Sequence, residues 1–420
     1  MKYFDIVVVG AGPAGLAAAH AAAAQGAHVG IIDDNPYPGG QIWRGAPDTQ
    51  SDPRAPQLLG ELRGFENVEF LPQTRVMYAP QPQHLLVQTP STSNTLQYKQ
   101  LIIATGARER LLPFPGWTLP GVTGAGGLQA LSKGGYPLEG KRVVVAGSGP
   151  LLLAAAATLK GKGAHIVAII EQAATPALLR FGLGLLATPS KIAQALQLNA
   201  QLRGVPYWRN SYVHSAQGER ALQSVQVQRG FEQELDILQC DYLACGYGLL
   251  PNVELAQALG CATVARDTQT VVQVDEWQQT SVPGVYCAGE GTGVGGVDLA
   301  LAEGHIAGLS ASGLKEQARG AFAARTRWRK FAERLGRSFA LRPELRTLAS
   351  DDTIVCRCED VCHGDLRTQT SWRSAKLQTR CGMGPCQGRI CGGATEVLYG
   401  WRPDAVRLPI SPTRISSIID

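Results

Sequence analysis

This sequence has no strong excess of either positive or negative residues. Its 420 residues carry 39 Lys and Arg against 34 Asp and Glu, a net charge of +5, too mild a balance to point to nucleic acid. Long apolar runs are missing as well: no stretch of about eighteen uninterrupted apolar residues occurs, which leaves no membrane span. The apolar start contains Asp5 and has no leading basic cluster, so it does not read as a secretory signal, and a cytoplasmic location is expected. A disulfide framework of the small secreted kind is also excluded. Of ten cysteines, six fall in the last sixty-five residues at metal-site spacing and the rest are scattered.

The chain has room for two or three domains and an ordinary 45% hydrophobic content. The positive excess is local. Between Arg319 and Arg346 stand nine basic residues (Arg319, Arg325, Arg327, Arg329, Lys330, Arg334, Arg337, Arg342, Arg346) against Glu333 and Glu344. A solvated helix face and a docking surface for an acidic partner both fit this pattern.

The most informative stretch is the first forty residues. The run Ile6 to Val9 empties into Gly10-Ala11-Gly12-Pro13-Ala14-Gly15 and then an alanine-rich segment, which reads as strand, phosphate loop, helix. Gly10 allows the tight turn, Gly12 lets the backbone approach a pyrophosphate, and Gly15 lets the helix pack close to the sheet. The N–H groups and positive dipole end of that helix then face phosphates. A second strand, Val29 to Ile32, ends in Asp33-Asp34, where a carboxylate can accept from a ribose diol. Asp33 is favoured as the first carboxylate after the run, with Asp34 the close alternative. A glycine-rich turn without a ligand is the plain structural reading.

Further on, Pro36 to Gln41 form a loop in which Gly39 and Gly40 permit close backbone approach beside Gln41. Residues 66 to 102 read as strands and turns broken by Pro80, Pro82 and Pro90. The strand Leu101 to Ile103 then ends in Ala104-Thr105-Gly106. Here the chain resembles the flavoproteins with two dinucleotide-binding domains related to glutathione and thioredoxin reductases. That resemblance implies that Thr105 and Gly106 lie against FAD, and that the chain crosses into a second nucleotide domain around Pro115 to Leu128.

A second strand-loop-helix follows at Val143 to Leu153 with Gly147 and Gly149, but Leu152 stands where the third glycine belongs. That bulk weakens or alters dinucleotide binding. The strand Ile166 to Ile170 ends in Glu171, which suits a ribose diol better than a 2′-phosphate. NAD, another adenine nucleotide in a structural role, and an empty site all remain open. The return is marked by Ala244 to Asn252, similar to the family's glycine turn followed by Pro-Asn. Gly284 to Gly291 matches its last flavin motif, with Gly289 followed by Glu290 where the family usually has Asp. The resemblance implies that Glu290 reaches the ribityl hydroxyls and that a helix starting near Asp298 points at the flavin's pyrimidine side. The closely spaced cysteine pair of the disulfide reductases is missing from the Gly39-Gly40 loop and from the second nucleotide domain, so dithiol chemistry is not expected.

The C-terminus places Cys356 and Cys358 as a C-x-C pair and Cys386 and Cys391 as a C-x4-C pair, able to converge on one metal centre, with glycines between them whose N–H groups can reach sulfur. The pattern resembles the bacterioferritin-associated-ferredoxin type of 2Fe-2S domain, in the variant attached to flavoprotein subunits of bacterial amine-oxidising complexes. By resemblance the ligands are Cys356, Cys358, Cys386 and Cys391. Cys362 and Cys381 lie off the pattern, Cys362 at a helix N-cap with Asp365 three residues on. A structural zinc on the same four thiolates is the plain alternative. Cys240, Cys245, Cys261 and Cys287 read as small buried apolar residues.

The expected fold is α/β: two Rossmann-like dinucleotide-binding domains and a small helical C-terminal 2Fe-2S domain. The boundaries are 1–115 and 245–315 for the FAD domain, 116–244 for the second nucleotide domain, 316–350 for a basic helical linker and 351–420 for the cluster. The order of motifs resembles the larger, alpha-type flavoprotein subunit of heteromeric opine oxidase, hydroxyproline or proline dehydrogenase and hydrogen cyanide synthase. That resemblance implies FAD and a 2Fe-2S cluster on this chain, amine oxidation on a beta-type flavoprotein partner, an FMN near the subunit interface, a small third subunit, and transfer of electrons to an acceptor. No catalytic acid or base stands out beside the flavin motifs, which agrees with an electron relay. The rivals are a stand-alone NAD(P)H-dependent reductase and a non-enzymatic, iron-responsive module that reads cluster occupancy.

Overall fold

A computed structural model describes residues 2–44, 52–230, 234–266, 269–403 and 405–419. The chain divides into two units, Met1–Arg108 with Leu250–Ala332 and Ala405–Asp420, and Glu109–Leu249 with Glu333–Asp404. Each is built around parallel strands of the doubly wound kind, as the alternation of strands and helices predicts, and the first sheet adds antiparallel strands at one edge.

In the first unit, the strands Val68–Leu71, Val29–Ile32, Lys2–Val9 and Ser93–Ile103 run parallel in that order. Ser93–Ile103 is long because it has three neighbours. It pairs with Lys2–Val9 from Leu96 to Ile103, its first half meets the antiparallel His84–Gln88, and its last three residues pair with Val285–Cys287. The first strand is apolar because both faces are covered: Ile6 and Val8 enter one core, Val7 and Val9 the other. Residues 405–419 add to the second of these cores through Val406 and Ile410, where Ile410 N donates to the Met77 carbonyl at 2.9 Å.

The helix Pro13–Ala23 is nearly all alanine inside and lies buried. Its partner is the helix Val297–Ala311, where Gly304 and Gly308 face the carbonyls of Ala14 and Ala18 so closely that a Cβ at either would run into them. Small residues on both sides thus set the spacing of the two helices.

The second unit carries a five-stranded parallel sheet in the order Tyr207–Trp208, His165–Glu171, Arg142–Gly147, Tyr242–Gly246, Val122–Gly124, with a separate three-stranded antiparallel sheet from Ser211 to Gln239. Leu345 and Val397 join the core of this unit beside Val144, Ala146 and Ile170. Among the described residues, no helix is long and apolar enough to cross a membrane.

Because the contact at Gly308 is backbone against backbone, it has no slack. Gly308→Ala is expected to lower the unfolding free energy by about 1–3 kcal/mol, the usual cost of overpacking, while the exposed Gly336→Ala leaves it undiminished; denaturant titration of the two variants checks this.

Candidate cofactor cradle and cysteine centre

The loop after the first strand is dictated by close approach. Gly10 has φ +110°, and a Cβ there would meet the Ala104 carbonyl; one at Gly15 would meet the Gly10 carbonyl. Gly12 caps the helix with Pro13 as the next residue, and no side chain caps that end, so first-turn N–H groups are left for a ligand. Among the described residues, what lies over Gly12 is another glycine: a Cβ at Gly40 would stand 2.9 Å from Gly12 Cα. These are features of a cradle that a pyrophosphate fits.

The two candidate carboxylates separate. Asp33 Oδ2 accepts from Ala11 N at 2.6 Å, and Oδ1 from Asn35 N and Nδ2 at 2.8 Å. Asp34 instead pairs with Arg75 at 2.8 Å on the surface. Gln41 is exposed. Thr105 and Gly106 sit beside the loop, tied to the Pro251-Asn252 turn: Thr105 Oγ1 donates to the Asn252 carbonyl at 2.7 Å, Asn252 Nδ2 to the Thr105 carbonyl at 2.9 Å, and Asn252 N to the Gly106 carbonyl at 3.0 Å. Gly289, at φ +76°, lies on Ala14 in the first turn of the helix. The structure therefore brings together Gly10 to Gly15, Asp33, Gly40, Thr105-Gly106 and Gly289, while Asp34 is taken up by Arg75.

Glu290 accepts from Gly295 N and Gly296 N, both at 3.0 Å, and burial pushes its carboxyl up to about 7. A residue that the motifs did not single out holds this turn together. Glu303, 1% exposed, accepts from Thr292 Oγ1 at 2.6 Å, from Gly289 N at 3.1 Å and from Arg329 at 2.8 Å. The signal was a glutamate set among alanines, leucines and glycines in the middle of the helix Val297–Ala311. Arg329 is one of the nine basic residues, and Arg325, buried, donates to the Glu276 carbonyl; part of the basic segment works inside the fold.

In the second unit Gly147 has φ +143° and a Cβ there would meet the Gly246 carbonyl. Leu152 is fully buried, and room for it comes from Gly246 on the adjacent strand, where a Cβ would stand 3.1 Å from Leu152 Cδ2. Glu171, 1% exposed, accepts from Gly149 N and Ala173 N at 2.8 Å, and burial pushes it up to about 7. Gly149 N to Glu171 repeats the relation of Ala11 N to Asp33.

At the C-terminus the hairpin Ile354–Cys356 and Val361–Cys362 meets the start of the helix Cys391–Tyr399. The sulfurs of Cys356, Cys381 and Cys391, all buried, lie within 4.8 Å of one another. Thiol donors from Cys381 and Cys391 hold Cys356 down to about 2, against burial and with help from the N–H groups of Gly382 and Glu359. Cys386 is lowered as well, by its neighbour Cys391 and by the N–H groups of Ile390 and Gly388. Cys358 is exposed and reaches Cys386. Cys381, which stands outside both spaced pairs, is brought beside Cys356 and Cys391 by the fold. A donor set of clustered thiols with low-pKa members and backbone N–H groups aimed at sulfur fits a soft metal centre. Cys362 N donates to Asp365 Oδ2 at 3.2 Å in a capping box, and Cys240, Cys245, Cys261 and Cys287 are buried free thiols.

The pyridine nucleotide-disulphide oxidoreductase model matches residues 4–307. The chain belongs to that family. An opine oxidase subunit of Rhizobium meliloti is 33% identical, covering 100% of this chain and 99% of its own. Hydrogen cyanide synthase subunit HcnB of Pseudomonas aeruginosa is 32% identical, covering 98% of this chain and 97% of its own. L-Proline dehydrogenase from P. horikoshii has the same fold, with a TM-score of 0.70 at 20% identity over 100% of this chain and 80% of that one. The chain is an oxidoreductase of a flavin-dependent family, similar along its whole length to subunits of multi-subunit enzymes.

The buried carboxyls set a pH dependence. With Glu171 raised from 4.5 to about 7, the folded form holds a proton that the unfolded form has lost, so stability falls as pH rises from 4.5 through 7 and levels off above. Glu171→Gln is expected to flatten that slope, gaining on the parent protein between pH 5 and pH 8; parallel unfolding curves for the two across this range would contradict the assignment.

Proposed function

We propose that this chain is the FAD- and 2Fe-2S-carrying electron-transfer subunit of a heteromeric dehydrogenase that oxidises the C–N bond of an amino acid, hydroxyproline, proline or opine on a partner subunit. One observation carries the reading: a pyrophosphate cradle in one unit and a thiolate centre in the other are joined in a chain whose full length matches an opine oxidase subunit. The residues closing the cradle support a relay. Asn252, Glu290 and Glu303 are each committed to backbone groups or to Arg329, which leaves them to shape the turn instead of moving a substrate proton. The buried Cys245 and Cys287 thiols are pushed far up by desolvation, which suits packing and not dithiol exchange.

When bound, FAD supplies two-electron and the cluster one-electron chemistry, the combination that divides a hydride equivalent. The chain's part is to hold them. The Gly10 to Gly15 loop and the free helix end would bind the pyrophosphate, Asp33 would fix the loop toward the ribose, and Thr105-Gly106 and Gly289 would back the flavin. Cys356, Cys358, Cys386 and Cys391 would hold the cluster, with the Gly382 and Gly388 N–H groups directed at Cys356 and Cys386.

A second reading of the metal follows from the approach of Cys356, Cys381 and Cys391 within 4.8 Å: a single tetrahedral ion, with Cys386 as fourth ligand, is the arrangement of a structural zinc. Anaerobically purified protein separates the two. The cluster reading expects iron and sulfide, bands beyond those of the flavin, and retention of both in Cys381→Ser with loss in Cys391→Ser. Zinc by elemental analysis, lost in both variants, would replace it. For the complex, copurification of a second flavoprotein and dye reduction by an amino acid or opine is expected. A chain that purifies without such a partner and takes electrons from NADH would be a stand-alone reductase, whereas one that binds a ferritin-like partner and takes electrons from no reductant would be an iron-responsive module.

A further inference from the structure

The second nucleotide fold does not stand open. The segment that follows the basic helix Phe322–Ser338 returns over its glycine loop and is held there by the residues that surround a nucleotide in such a fold. Ser148, between the two loop glycines, donates from Oγ to the Phe339 carbonyl at 2.9 Å. The Phe339 ring covers Gly149: a Cβ on that glycine would stand 3.7 Å from Phe339 Cγ. Gln172, fully buried just past Glu171, donates from Nε2 to Ser148 Oγ at 2.8 Å and to the Ala340 carbonyl at 3.0 Å, and accepts from Arg342 N at 3.0 Å.

The segment is anchored on both sides. Phe339 stacks edge-on against Phe181 with ring centres 5.0 Å apart, Arg342 donates to Asn210 Oδ1 at 2.7 Å, and Leu345, 1% exposed, is part of the unit's core. The contrast with the first loop is direct: over Gly12 lies a glycine, over Gly149 a phenyl ring. The second glycine of such a loop exists so that a pyrophosphate can approach; here a side chain and a main-chain carbonyl occupy that approach. A nicotinamide nucleotide, which the family's name implies for this domain, does not fit the residues present.

We propose that Phe339 to Arg342 is a built-in ligand of the second nucleotide fold, which fills the pyrophosphate position above Gly147 to Gly149 and makes the chain refuse NAD(P)H there. Its Phe339 carbonyl takes the hydrogen bond that a phosphate oxygen would receive from Ser148. The choice of electron donor is then set within this chain: with the nicotinamide site filled, reducing equivalents arrive from the substrate-oxidising partner. Only that last step rests on the proposed function.

The test uses the full-length, flavin-loaded protein, so that the first cradle is filled, and reads binding without turnover. Titration with NADH and with ADP-ribose, followed by calorimetry and by NADH fluorescence, is expected to show no saturable binding tighter than about 1 mM. The double variant Phe339→Gly, Gln172→Ala frees the segment and raises the fraction of molecules competent to bind, so apparent affinity for ADP-ribose should rise about tenfold or more. The milder Ser148→Ala, which keeps the packing of Phe339, should rise less. Retention of the flavin spectrum reports folding of the first unit, and hydrogen exchange over 339–346 reports release of the segment. Saturable binding of ADP-ribose to the parent protein with the 339–346 amides losing protection would overturn the inference, as would a released segment without any gain in binding. A missing partner subunit would leave these readouts untouched and sink only the proposed function.

Discussion

Backbone packed against backbone is the constraint on which this structure depends. At Gly10, Gly15, Gly147, Gly304 and Gly308 a carbonyl oxygen stands where a side chain would begin, so strand, loop and helix approach more closely than any other residue permits. The consequence for function is positional. In the first unit the approach of Gly10 to Ala104 sets Thr105-Gly106 beside the helix end, and that of Gly304 to Ala14 sets Glu303 under the Gly289 turn. A polar network at 2.6 to 3.1 Å then fixes the turn, and since Glu303 is almost wholly enclosed, loss of Arg329 would leave a buried carboxylate without its cation.

The two units show the same loop geometry with different outcomes. Both tie a loop N–H to the carboxylate that ends the second strand, Ala11 N to Asp33 and Gly149 N to Glu171. The difference lies in what faces the middle glycine and in how deeply the carboxylate sits. Glu171 is enclosed enough to be raised to about 7, the signature of a group that closes a loop from within. Leu152 does not push its helix off the sheet, because Gly246 on the neighbouring strand makes the room; the missing third glycine has moved across the interface.

Much of this was legible. Strand, glycine loop, helix and acidic end appear in order in the sequence, because a parallel strand buried on both faces must be a short apolar run and a close approach must be glycine. The choice between Asp33 and Asp34 was readable only as a preference, since adjacent carboxylates differ in direction and not in type; Arg75, about forty residues away, takes the second. Illegible were the contacts that join distant stretches of chain: Glu303 with Arg329, Gln172 with the 339–342 segment, and Cys381 with Cys356. Local spacing finds ligands that share a turn, whereas Cys381 reaches the centre through the fold of the hairpin and the loop before Cys391.

The basic segment shows why a count of charges misleads. Nine cations over 319–346 looked like one feature, yet the chain spends them singly. Arg325 donates to the Glu276 carbonyl, Arg329 neutralises Glu303, and Arg342 pairs with Glu344 at 2.8 Å while clasping Asn210. A guanidinium with five donors is suited to bridge several acceptors at once, so arginine in place of lysine was itself the clue that these side chains serve the interior. What such a segment does is therefore decided by where its backbone is led. Here it is led first past the Gly289 turn and then across the loop of the second nucleotide fold.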